Sequence, residues 1–164
     1  MADVKKVVTI LEGALVEKAK AGYPAIYLLS QEEARALADV RNAAKELKRD
    51  VYIWTLLKGI VKDTKGTPKP IPNTEGAGEA LDGMAQTPPG SIIVLKNFHH
   101  FMEDPGIQAK LLDCINEFKM QKKMIIFLTP VLKMVQELEK ELAIIEAKLP
   151  NEAELNAVLD QLIS

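Results

Sequence analysis

Three groups of residues have the side-chain types and spacing to do chemistry. The first is Lys96-Asn97, which closes the apolar run Ile92-Ile93-Val94-Leu95. Such a run, opened by Pro88-Pro89-Gly90, reads as a strand buried on both faces. Ligands of open α/β sheets sit at strand ends of this kind. Phosphoryl-transfer sites place acids there, one to hold magnesium and one to orient water. A lysine and an amide supply no anionic oxygen for either task. Lys96 can instead meet a phosphate or a partner carboxylate as a point charge. Ser30, Thr55 and Thr129 also follow apolar runs and belong to the same strand-end set, which otherwise serves to satisfy loop backbone.

The second group is His99-His100, flanked by Phe98 and Phe101. Neighbouring residues seldom aim at one metal, and no cysteine or third histidine lies nearby to complete a zinc set. The pair reads as an anchored turn presenting two surface histidines. The third group is Lys58, Lys62, Lys65 and Lys69, set against Asp63 alone within residues 56–74. This stretch also holds Gly59, Gly66, Pro68, Pro70 and Pro72, so it reads as a long loop. It is either a solvated insertion or a basic contact surface for an acidic partner or nucleic acid. Lysines without interleaved aromatics are a weak nucleic-acid signal. Cys114 reads as a small core residue, and no catalytic, cofactor-binding or metal-ligating residue is assigned.

The elements that must position these groups alternate. A helix opens at Asp3 and carries Val4, Val7, Val8, Leu11, Leu15 and Ala19 at helical spacing, until Gly22 and Pro24 stop it. A strand follows over residues 25–29. Ser30 with Glu33 then forms a capping-box pattern for a helix reaching Lys48-Arg49. No glycine lies in that short junction, so it lacks the pattern of a phosphate-cradling loop. Residues 51–55 make a strand rich in β-branched and aromatic side chains. A short helix spans residues 75–86; its Gly76-Ala77-Gly78 follows a proline-rich loop and no strand, so it is no dinucleotide fingerprint. Asp104-Pro105 starts a further helix as N-cap and first helical residue. Strands over 124–128 and 142–145 follow, and Asn151 with Glu154 opens a last helix. Short apolar strands alternating with helices predict a parallel sheet with helices on both faces.

The totals suit one ordinary globular domain: 164 residues, 48% apolar, 27% charged and a net charge of -2. That charge gives no bulk case for nucleic acid. A single cysteine forbids an internal disulfide. No apolar run reaches the ~18 residues of a membrane span, so a cytoplasmic location without membrane contact is expected.

Four segments, in order, resemble one family. They are residues 25–29 with Ser30-Gln31-Glu32-Glu33-Ala34-Arg35; residues 51–55 with Lys58-Gly59; residues 93–97 with Phe98-His99-His100-Phe101; and Ile125-Ile126-Phe127-Leu128-Thr129-Pro130 with Val131-Leu132. The family is the AAA-domain ATPases first named as a hypothetical chloroplast reading frame, with bacterial and phage relatives. The resemblance runs from about residue 11 to 159 and is to their N-terminal half. It implies a degenerate, P-loop NTPase-like domain. The fold would be a three-layer α/β/α sandwich with a five-stranded parallel sheet of order 5-1-4-3-2. Residues 93–97 would take the place of the acidic strand, and Thr129 the phosphate-sensing position. The working P-loop would lie beyond Ser164, so ATP and magnesium are implied only for a full-length relative. Residues 149–155 resemble the entry to a helical lid, which divides the chain into an ATPase-like domain over 1–150 and the start of a truncated lid over 151–164.

The expected function is a non-catalytic regulatory, assembly or partner-binding domain. It would act with an AAA ATPase module in cis or in trans, with a homo-oligomer also open. Its surface would comprise Lys96, Asn97, His99, His100, Thr129, Lys58, Lys62, Lys65 and Lys69. The alternative is a nucleotide- or nucleic-acid-binding module that uses the strand ends or the basic loop. Helix N-termini at Ser30 and Asp104 would serve an anion there.

Overall fold

The computed structural model describes residues 10–64, 66, 68–133, 136 and 138–147. The expected helix start at Asp3, Lys65, and the expected last helix with its lid boundary lie outside them. In chain order the elements are α1 (Ile10–Lys20), β1 (Ala25–Leu29), α2 (Glu33–Leu47), β2 (Val51–Thr55), β3 (Gly59–Lys62), α3 (Ala77–Gly83), β4 (Ile92–Lys96), α4 (Pro105–Gln121), β5 (Met124–Thr129) and β6 (Leu142–Glu146).

One sheet runs β3-β2-β4-β5-β1-β6. Its five parallel strands keep the expected order 5-1-4-3-2 when counted among themselves. The expectation of five strands is corrected to six. β3 adds an antiparallel edge, with Tyr52 opposite Lys62 and Thr55 opposite Gly59. The sheet is therefore mixed, and residues 56–74 are not one structureless loop. The strand was hidden because it is short and begins at Gly59, whose φ of 76° suits a glycine at a hairpin turn.

The strands look uniformly apolar because both faces are covered. Side chains alternate across the sheet. Tyr27, Trp54, Ile93, Leu95, Ile125 and Phe127 face α3 and α4, in a core with Leu81, Leu111, Ile115 and Phe118. Ile26, Leu28, Val94, Ile126 and Leu128 face α1 and α2, with Leu15, Leu37 and Val40. This is the three-layer arrangement the pattern predicts.

Helix ends follow their caps where the side chain reaches. Asp104 Oδ1 accepts from the N–H groups of Gly106 (2.8 Å) and Ile107 (3.1 Å), with Pro105 in the first turn. The capping box expected at Ser30 and Glu33 does not form. α2 begins two residues too late: Glu32 holds the N-cap position without a side-chain cap bond. Ser30 Oγ instead accepts from the Glu32 N–H at 3.1 Å, closing a tight turn before the helix.

Candidate functional site

Parallel strands end on one side of a sheet, so the carboxyl ends of β1, β2, β4 and β5 bring Ser30, Thr55, Lys96, Asn97 and Thr129 to a common edge. The register fixes their heights: Lys96 lies opposite Leu128, and Thr129 opposite Leu29. The groups at this edge are largely engaged with one another. Lys96 Nζ lies 2.7 Å from Glu33 Oε1, joining the end of β4 to the first turn of α2. Gln31 Nε2 donates to the Pro130 carbonyl at 2.9 Å, tying the β1–α2 junction to the end of β5. Asn97 is exposed and takes a left-handed backbone (φ 55°), and its N–H donates to the Leu128 carbonyl at 3.0 Å.

Thr129, expected on the contact surface, is only 1% exposed. Its Oγ1 and the Tyr27 hydroxyl lie 3.1 Å apart and converge on the Val131 carbonyl, each at 2.7 Å. The Lys133 N–H donates to the Tyr27 hydroxyl at 3.0 Å. Tyr27 therefore organises the chain after β5, a role the sequence reading missed. The available signal was a single phenol inside an otherwise aliphatic strand, because a buried hydroxyl needs a partner.

The two histidines have different settings. His100 is exposed, whereas His99 is 9% exposed and its Nδ1 is buried without a hydrogen-bond partner. Their ring centroids lie 4.1 Å apart. Burial lowers the pKa of His99, and the nearby charges of His100 and Lys133 lower it further. An orphaned buried N–H is rarer than an orphaned acceptor, so the fitting tautomer of neutral His99 carries its proton on Nε2. Metal ligation through Nε2 would move that proton to the unpartnered side. No group of three His, Cys, Asp or Glu residues that could hold a metal occurs among the described residues.

The basic residues divide. Lys58 sits in the β2–β3 turn, where its N–H donates to Thr55 Oγ1 at 3.2 Å. Lys62 lies on β3, 3.7 Å from Asp50. Lys69 is exposed further along. Asp63 is held by Arg41 through two bonds of 2.7 and 3.2 Å. The hairpin thus carries Lys58 and Lys62 on an element separate from Lys96.

A magnesium-bound triphosphate does not fit the carboxyl edge described here. The junction from β1 to α2 is three residues, Ser30-Gln31-Glu32, with no glycine to form a cradle of backbone N–H groups. β4 ends in a lysine already paired and an amide on a turned backbone.

Residues 11–147 match the family model described as the SpoVK-like AAA ATPase, N-terminal domain. The chain belongs to this family. As an AAA ATPase N-terminal domain it is similar to the uncharacterized AAA domain-containing protein ycf46 of Trieres chinensis, 29% identical over 88% of this chain and 29% of the relative. It is also similar to ycf46 of Guillardia theta, 28% identical over 85% of this chain and 28% of the relative. The N-terminal domain thus spans under a third of these relatives. Its fold is similar to that in the crystal structure of a DNA replication initiation factor, with a TM-score of 0.51 and 12% identity, covering 99% of this chain and 53% of the other. That likeness speaks to fold alone.

Proposed function

We propose that this chain is a non-catalytic domain that binds a protein partner and serves the assembly or regulation of an AAA ATPase. The observation that carries this reading is the set of contacts at the carboxyl edge. Lys96 is neutralised by Glu33, and the Thr129 hydroxyl is buried against Tyr27 and Val131. An edge closed by its own side chains has given up the features that hold a nucleotide and keeps an outer surface for recognition. ATP and magnesium would then serve the longer relatives through a module outside this domain. Among the described residues no helix is long and apolar enough to cross a membrane.

Calorimetric titration of the purified chain with ATP, with and without magnesium, tests the reading. The expected result is no saturable heat and an unchanged melting temperature. A ligand at 100 times its Kd would stabilise the fold by about 2.7 kcal/mol, which a melt detects easily. Saturable, magnesium-dependent ATP binding would overturn the proposal.

A further inference from the structure

We infer that two copies of this chain join edge to edge through β6, antiparallel about a two-fold axis, so that the two sheets become one. This rests on the reading of a partner-binding domain and names the partner and the surface.

A sheet has two edges, and each presents unpaired backbone groups unless something covers it. The edge at β3 is covered. The Ile60 N–H donates to Thr74 Oγ1 at 2.9 Å, and the Ile60 carbonyl accepts from the Ile71 N–H at 2.8 Å. The edge at β6 is open. β6 pairs with β1 on one side and has no strand on the other. Just past its end, the Ala147 N–H donates to the Leu29 carbonyl at 2.8 Å. Bonding directions alternate along a parallel strand, so Ala143 and Ile145 turn their backbone groups to β1 as Ala147 does. Ile144 then turns its N–H and carbonyl outward, flanked by the Leu142 carbonyl and the Glu146 N–H. None of these four groups has a hydrogen-bond partner among the described residues.

The strand also lacks the usual devices that keep an edge single. Leu142-Ala143-Ile144-Ile145-Glu146 contains no lysine or proline, and its one charge stands at the far end. Ile144, at the centre, is 50% exposed.

The strand is complementary to itself. A two-fold axis sets β6 against its own copy in antiparallel fashion. With the axis at Ile144, the two Ile144 residues exchange both backbone bonds. On either side, the Glu146 N–H meets the Leu142 carbonyl of the other copy. Ile144 then packs on Ile144 over one face of the sheet, and Ala143 on Ile145 over the other. Glu146 falls opposite Leu142, so no two carboxylates of the strand face each other. Lys140, exposed and without an ion pair among the described residues, precedes the strand and is carried toward Glu146 of the other copy. A foreign strand could make the same backbone bonds, but it would have to supply this matched set of side chains. One strand per copy is a small contact, so the dimer should be weak and fast to exchange.

Sedimentation equilibrium, with amide hydrogen exchange followed by NMR, tests the pairing on the chain as it stands. The expected result is a reversible monomer–dimer equilibrium. Protection of the Ile144 and Glu146 amides should rise with protein concentration, while Ala143 and Ile145 are protected throughout. Ile144→Lys sets two like charges face to face and uncovers the central apolar pair, so it should lower the association constant by roughly 100-fold. Ile144→Val should lower it by about tenfold at most. Ile144→Pro removes only an outward N–H, which an edge strand tolerates, and should abolish the dimer. Melting temperatures show that each variant is folded, and the wild-type exchange pattern stands even if one is not. A chain that stays monomeric overturns the inference, as does a dimer indifferent to Ile144→Lys. Protection of Ile144 that is the same at every concentration in a monomer means that the chain covers its own edge, and also overturns it. The two readings fail separately: magnesium-dependent ATP binding sinks the non-catalytic reading and leaves sedimentation unaffected, whereas a monomer sinks the pairing and leaves the titration result standing.

Discussion

Replacing Thr74 tests how the proline-rich stretch after β3 is held. Thr74 is 1% exposed. Its Oγ1 accepts from the Ile60 N–H at 2.9 Å and donates to the Ile71 carbonyl at 2.7 Å. Its own carbonyl accepts from Trp54 Nε1 at 2.7 Å. Thr74→Val keeps the shape and removes the hydroxyl, leaving a buried donor and a half-buried acceptor without partners. Each such loss costs about 1–3 kcal/mol, so the substitution should destabilise the fold by about 2–6 kcal/mol. Thr74→Ser keeps the hydroxyl and removes the methyl that packs against Gly83. One buried methyl contributes about 1 kcal/mol. The variant closer in shape should therefore be the less stable. Urea unfolding measures both, with the fluorescence of Trp54, the chain's one tryptophan, as reporter. If Thr74→Ser loses as much stability as Thr74→Val, the hydroxyl is not what pins this stretch.

Three further outcomes are expected. The folded state lowers the pKa of His99 through burial and the charges of His100 and Lys133, so the unfolded chain binds more protons just below ~6.5. Stability should then fall as pH drops from that value through the lower folded one, and His99→Gln should flatten this part of a melting-temperature profile. Asp104→Ala removes two N-terminal hydrogen bonds of α4 and should cost about 1 kcal/mol, read as a fall of about 2–4 °C in melting temperature. Burial, with Glu117 next, raises the Cys114 thiol to about 11 from 9.0. Its reaction with a disulfide reagent at neutral pH should run roughly 100-fold slower than an open thiol, becoming fast in denaturant.

Much of this fold is legible in the residues, and the reason is physical. Apolar runs such as Ile92–Leu95 and Ile125–Leu128 have no polar escape, so they must be buried on both sides. That fixes parallel strands between helices. Asp104-Pro105 is equally local, since the cap and its recipients are neighbours. Features set by distant partners are harder to read. Ser30 and Glu33 match a capping box in spacing, but Lys96, from the other side of the sequence, draws the Glu33 carboxylate to itself. Thr129 looked like an accessible strand-end hydroxyl until Tyr27, 102 residues earlier, met it underneath. β3 shows how a glycine and several prolines conceal a strand whose pairing needs only a nearby hairpin.

The position of β1 bears on how the chain is made. β1 leaves the ribosome early, yet both its neighbours come late: Ala25 pairs with Ile125 on one side and with Leu142 on the other. At ~5–20 residues per second, the first neighbour takes on the order of 5–20 seconds to be synthesised. For that interval an apolar central strand has no sheet to join. α1 and α2, which precede and follow it and pack against one of its faces, are made in time to shelter it. The β2–β3 hairpin can close almost at once, so assembly should begin at that edge and finish when β1 slots between the last two strands.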